Sequence, residues 1–170
     1  DKVAFNRAAL ALSPTSLIVY PLTQTGERFP FNRPDAVGFV EGAAASAEVL
    51  YAAHLEGVAF VERLAYDVVV ALGAEVSARI YTTGGGARSV EWMQIRADAL
   101  GRELARPSNA NAAMGSAMIA ASGALFETIA DASAQMTQID RVVAPRRDFE
   151  ARYQERYQRF CSALQRRGYL

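Results

Sequence analysis

Cysteine, histidine, tryptophan and lysine each occur once in the 170 residues, as Cys161, His54, Trp92 and Lys2. A lone cysteine excludes an intrachain disulfide and a thiolate metal cluster, and makes a reducing, cytoplasmic setting the expectation. A lone lysine at the second position excludes a P-loop, which needs Gly-Lys followed by Ser or Thr. A catalytic histidine needs a nucleophile or carboxylate beside it, and nothing around His54 supplies one, so it is read as structural or surface. Neither sign of charge is in excess: the formal net charge is zero. That argues against the basic face of a phosphate-backbone binder, and no nucleic-acid partner is expected. The densest basic stretch, from Arg141 to Arg167, is broken by Asp148, Glu150 and Glu155 and reads as a solvated helix face. No apolar run approaches the ~18 residues needed to cross a membrane, and the first residues lack the form of a signal peptide. What is abundant is alanine, and arginine in place of lysine, a bias of GC-rich bacterial genomes. Apolar residues make up 51% of the chain, enough for one folded domain over residues 1–170.

Residues 3–12 are predicted helical, with Pro14 interrupting. Residues 16–22, β-branched and aromatic, are predicted as a strand. Residues 23–35, with Gly26, Pro30, Asn32 and Pro34, form an irregular loop of the length that functional loops have. Residues 46–72 are strongly helical, with Leu50, Ala53, Val58, Val61, Leu64, Val68 and Leu72 as one apolar stripe, Ser46 as cap and Gly73 as stop. Gly57 inside that helix costs about 1 kcal/mol relative to alanine, which points to a close contact with another backbone. A strand at 78–83 leads through Gly84, Gly85 and Gly86 into a helix at 90–100, capped by Ser89 and closed by Gly101. A short strand at 103–106 stops at Pro107. A helix at 111–122 follows, whose Gly115, Ala117 and Ala121 suit tight packing on a sheet. A weaker helix covers 126–136. The last helix, 146–167, carries Phe149, Tyr153, Tyr157, Phe160 and Leu164 on one stripe. This order predicts an α/β layer with parallel pairing between 78–83 and 103–106.

The strongest local signal is a strand, three glycines and a helix N-terminus in succession. Glycine lets the chain turn sharply and lets a ligand lie against the main chain. The free N–H groups and dipole of the next helix favour an anion. On the pattern alone, a nucleotide or phosphate site and a plain connection stay equally open. A dinucleotide fingerprint is excluded, because the glycines are consecutive and the sixth position after the turn begins is Ser89.

Four separated segments resemble the C-terminal domain of the FGGY family of carbohydrate kinases, the xylulokinase and glycerol kinase group. Residues 20–38, with Gly26-Glu27-Arg28, Pro30, Pro34, Ala36 and Gly38, are similar to that family's proline-flanked G-E-R stretch. Residues 55–60 read L-E-G-V-A-F, much like one of its helices. Residues 83–89 resemble its G-G-G-A-x-S/N motif and run on into W-x-Q-x-x-A-D-x-x-G through Trp92, Gln94, Ala97, Asp98 and Gly101. Residues 113–120 are similar to its A-x-G-A-A helix. The four keep order and spacing over nearly the whole chain.

The resemblance implies a ribonuclease H-like (actin-like ATPase) α/β domain, and an ATP-dependent kinase that phosphorylates a sugar hydroxyl with Mg²⁺, of a ketose such as xylulose. It places Gly84, Gly85, Gly86, Ala87 and Ser89 along the nucleotide. It puts the catalytic aspartate and a phosphate-binding turn upstream; neither motif occurs before Ser16. The expectation is therefore a C-terminal domain without the sugar-binding domain, with no catalytic residue of its own, inactive alone. The sheet is expected to be incomplete, with an unpaired edge that favours a homo-oligomer. The alternative is an actin-like nucleotide-binding or interaction module without sugar chemistry. Arg28 is read as pairing with Glu27 or Asp35 rather than touching phosphate. Asp98 is read as a structural hydrogen-bonding residue, Trp92 as core, and Cys161 as buried and inert. Residues 108–111, Ser-Asn-Ala-Asn, depart from the acidic residues common there in the family, but their amides can still cap the next helix.

Overall fold

The computed structural model describes residues 1–109 and 111–170. Helix α1 (Lys2–Leu12) is followed by strand β1 (Ile18–Tyr20), the loop, strand β2 (Phe39–Glu41) and the long helix α2 (Ala47–Ala71). Strand β3 (Arg79–Tyr81), a 3-10 turn at Gly85–Arg88, helix α3 (Val90–Leu100) and strand β4 (Glu103–Pro107) come next. Helices α4 (Ala112–Ala121) and α5 (Ile129–Met136), strand β5 (Ile139–Val143), a 3-10 turn at Arg147–Phe149 and helix α6 (Glu150–Arg166) complete the chain. The α/β class holds, but the strands are few and fall into two small sheets. β1 and β2 pair antiparallel; β3, β4 and β5 form the second sheet in that order. β3 runs parallel to β4 with Ile80 opposite Leu104, as expected, and β5 returns antiparallel. Among the described residues β3 has no partner on its other side.

Caps set the helix starts. Ser46, Ser89 and Asn111 each accept an N–H of the first turn, from Val49, Trp92 and Met114. The expected close approach at Gly57 is real: a Cβ there would collide with the carbonyl oxygen of Val19 in β1. The stripe expected on α2 is corrected. Ala53 and Leu64 of that stripe are buried, but Val58 and Leu72 are exposed, and the buried face also takes in Ala52, Leu55, Glu56, Ala59 and Phe60. The main core joins this face to Ile18 and Tyr20 and to the α6 residues Tyr153, Tyr157, Phe160 and Leu164. Phe149 packs against its margin. The packing expected for α4 is also corrected. Only Ala121 of that helix is buried; α4 lies on α5, and Ile119 is 70% exposed. The weak helix starts at Ile129, not at Phe126, because Thr128 accepts from the N–H of Asp131 and caps it there.

Glu56 is a charged residue inside the core, 1% exposed. Its carboxylate accepts the backbone N–H of Thr15 at 2.8 Å and the Thr15 hydroxyl at 2.9 Å. Arg156, also buried, donates nearby to the carbonyl of Leu17. These bonds tie the α1–β1 connection to α2 and α6. Burial pushes the Glu56 carboxyl above its ordinary value, against the lowering pull of the Thr15 bonds and of Arg156. The folded state therefore keeps a proton that the unfolded chain has already released. The stability linked to Glu56 is fully present below the unfolded value and is lost as pH rises through the folded one. We expect the unfolding free energy of the wild type minus that of Glu56→Gln to fall as pH rises above the ordinary glutamate value of about 4.3, by no more than ~1.4 kcal/mol per pH unit. Urea titrations of both proteins from that value upward measure it. A difference that stays flat or rises would show that the buried carboxyl is not raised.

Candidate functional site

The parallel pair β3–β4 ends at the glycine turn. Thr82, buried at the end of β3, donates its N–H to Ala105 of β4 and accepts Arg96 Nη1 at 2.6 Å on its hydroxyl. Arg96 is held by Glu62 of α2 through two bonds of 2.8 Å. The strand is thus anchored just before it turns. Gly84 then takes φ 79° and ψ −164°, a region essentially restricted to glycine. Gly85–Arg88 coil once as a 3-10 turn, and Ser89 starts α3.

The five expected site residues sit on this turn but do not share one surface. Gly84, Gly85 and Ala87 line an open cavity of about 530 Å³ together with Arg106, Asn109 and Asn111. An added Cβ at Gly84 or Gly85 would meet nothing within 4 Å, so bare main chain faces this space. Gly86 instead lies on the indole of Trp92, which a Cβ would strike. Trp92 packs as core with Ala9, Ala52, Leu55 and Ile95. Ser89 faces a neighbouring cleft with Asn6, Gly85, Arg88 and Glu91. Its hydroxyl is fully engaged: it accepts from Trp92 N–H at 3.2 Å and from Asn6 Nδ2 at 3.1 Å, and donates to Glu91 at 2.9 Å. Ser89 therefore shapes the turn by capping α3 and tying it to α1.

Two residues that the sequence did not single out complete the cavity. Arg106 on β4 donates Nη1–H to the carbonyl of Ala87 at 2.9 Å. Asp140 on β5 holds the same guanidinium at both ends, at 2.9 and 2.8 Å. Those bonds lower the Asp140 carboxyl below its usual value and raise Arg106 above its own. Arg88 is exposed at the rim. The exposed Arg88 guanidinium and the open glycine main chain suit an anionic ligand such as a nucleotide phosphate. No group of three or more His, Cys, Asp or Glu among the described residues is arranged for a metal. Asp140, the carboxylate lining the cavity, is committed to Arg106. The side chains here fit phosphate; for a magnesium ion they offer no set of their own.

The other singled-out residues serve the fold. Asp98 accepts from Arg146 and Gln94, and His54 contacts the carbonyl of Leu50 one helical turn back. Cys161 is half-buried, and burial raises its thiol, which disfavours the reactive thiolate. The partner expected for Arg28 is corrected: Asp35 pairs with Arg33 at 3.0 Å, and Glu27 accepts the Tyr20 hydroxyl and the backbone N–H of Arg28. Among the described residues the Arg28 guanidinium has no ion pair, and it lines a small cleft with Gly26 and Asn32 that shares no residue with the glycine-turn cavity. No helix among those described is long and apolar enough to cross a membrane.

Known structures share the fold described above. The ligand-bound xylulose kinase from Lactobacillus acidophilus superposes with a TM-score of 0.81 over 95% of this chain and 34% of its own, at 22% identity. A xyloylose kinase from Brucella ovis gives 0.77 over 94% of this chain and 34% of its own, at 31% identity. Plasmodium falciparum glycerol kinase with ADP gives 0.79 over 98% and 34%, at 18% identity. The chain thus spans about a third of the length of these structures. Residues 1–124 match the C-terminal domain of the FGGY family of carbohydrate kinases, whose members are phosphotransferases that use ATP, typically with Mg²⁺. This chain belongs to that family.

Proposed function

We propose that the chain forms the nucleotide-side wall of an ATP-dependent sugar kinase, which transfers the γ-phosphoryl group to a sugar hydroxyl. The observation that carries this is the glycine turn at the start of α3, open at Gly84 and Gly85 and backed by Arg106, facing a cavity of about 530 Å³. Gly84, Gly85 and Ala87 would border the nucleotide, and Arg88 would balance phosphate charge. A bound nucleotide would carry the Mg²⁺ on its phosphates. A ketose such as xylulose is the proposed acceptor, since xylulose kinases are among the similar structures. The single cysteine suits a bacterial cytoplasm.

Phosphoryl transfer needs positioning and charge stabilisation around the whole phosphoryl group, and this cavity is open on one side. We expect the 170-residue chain to release no ADP on addition of xylulose and ATP, and to bind ATP only weakly in calorimetry. Sugar-dependent ADP release from the purified chain would overturn the first expectation. Tight binding, in the low micromolar range or better, would overturn the second and would favour a self-sufficient nucleotide-binding module.

A further inference from the structure

The glycine turn has little side chain of its own to hold its shape: only Arg88, exposed at its end, is longer than a methyl. Gly84, Gly85 and Gly86 have none, and Ala87 has only a methyl. Ser89 fixes one end through α3, and Thr82 fixes the other through β4. Between them, beside the Trp92 indole packed on Gly86, the main chain has among the described residues one side-chain hydrogen bond from outside, the Arg106 Nη1–H to Ala87 carbonyl contact at 2.9 Å. The guanidinium that makes it is planar and is fixed at its other edge by both oxygens of Asp140. A bidentate pair of this kind sets the orientation of the donor as well as its position.

The geometry points to Arg106 as the positioning residue of the glycine turn, with Asp140 on β5 as the anchor that aims it. The inference rests on the nucleotide reading of the cavity only for its consequence, that a turn held in this shape binds phosphate better. The positioning itself is a property of the chain alone. β5 thereby gains a role: it carries Asp140 opposite β4, with Arg106 facing Arg141 in the register and a shift between Arg106 and Pro107. Arg141 is thus the residue directly opposite Arg106, and Asp140 reaches it from the adjacent position.

Hydrogen exchange of the amides in Gly85–Arg88, measured on the 170-residue chain, reads the positioning directly. Arg106→Gln and the near-isosteric Asp140→Asn should each speed exchange there by about tenfold or more. Arg79→Gln, which breaks the Arg79–Glu103 pair between β3 and β4 in the same sheet, should leave the turn unchanged. The reversed pair Arg106→Asp with Asp140→Arg separates positioning from plain cross-strand pairing. An ion pair can form again, so thermal stability should recover, but aspartate cannot donate to the Ala87 carbonyl and exchange at the turn should stay fast. Unchanged exchange in Arg106→Gln, or slow exchange restored by the reversed pair, overturns the assignment. Calorimetry with Mg-ATP completes the test: where the wild type binds, Arg106→Gln should weaken binding about tenfold. Where wild-type binding is too weak to measure, turn exchange responding as above upholds the positioning role by itself.

Discussion

Gly57→Val is expected to destabilise the fold by about 3 kcal/mol or more, a large part of the ~5–15 kcal/mol that holds a typical domain together. β1 crosses α2 at this residue, and the space a Cβ needs is taken by the carbonyl group of Val19, with the ring of Pro21 at 3.3 Å. Neither obstacle is the tip of a flexible side chain. To admit a side chain, helix and strand must move apart, and Ile18, Tyr20 and Phe60 lose their packing together. Even Gly57→Ala should lose stability, although alanine favours a helix interior by about 1 kcal/mol. Gly115 in α4 supplies the opposite case: nothing lies within 4 Å of an added Cβ, so Gly115→Ala should gain up to about 1 kcal/mol. Urea unfolding of the three variants tests the pair. Equal effects of alanine at the two positions would refute the account of Gly57.

Asp98→Ala is expected to cost about 3 kcal/mol. The Asp98 side chain is fully buried. Its two oxygens accept the backbone N–H of Arg146 at 2.7 Å, Arg146 Nε at 2.9 Å and Nη2 at 2.7 Å, and Gln94 Nε2 at 2.9 Å. This carboxylate therefore joins α3 to the segment between β5 and α6. Removing it strands a backbone donor and an arginine together. The arginine head remains 34% exposed and can turn to water, which keeps the cost at the lower end of the range for a broken buried pair. Asp98→Asn keeps the shape and an acceptor, and should cost less than half as much. A loss below about 1 kcal/mol for the alanine variant, at unchanged denaturant slope, would contradict the structural role.

The helices were legible in the sequence because their ends carry local chemistry: Ser46, Ser89 and Asn111 start them, and Gly101 stops α3 in the left-handed conformation. The inner face of α2 was not, because it is built from small and polar residues. Ala52, Glu56, Gly57 and Ala59 are inside since β1 and Thr15 come close, while the bulkier Val58 and Leu72 point outward. Hydrophobic spacing favours bulk, so it found Ala53 and Leu64 but added Val58 and Leu72 and missed the small and polar positions. β2 is three residues long and lacks any local mark. β5 places Asp140 and Arg141 within an otherwise apolar run, which reads as surface until its pairing with β4 is known. The site divides in the same way. The glycine turn and its cap belong to one short stretch and were visible. Arg106 and Asp140 are 34 residues apart and meet only through strand register, which no local pattern encodes. The sheet packing expected for α4 from its small residues failed for a related reason: small residues permit close approach but do not supply the partner.

The last helix gives the chain a particular order of assembly. Tyr153, Tyr157, Phe160 and Leu164 make up much of the main core, and Val37 N–H is bonded by the hydroxyl of Tyr169, 132 positions later. Arg156 reaches the carbonyl of Leu17 across 139 positions. On the ribosome, Ile18, Tyr20 and Phe60 emerge long before the aromatic face that covers them. Contacts this distant along the chain form slowly, since a large loop must close first. The growing chain therefore carries an open apolar face until α6 and Tyr169 have been made, and that interval is when a chaperone holding such a surface has most to contribute.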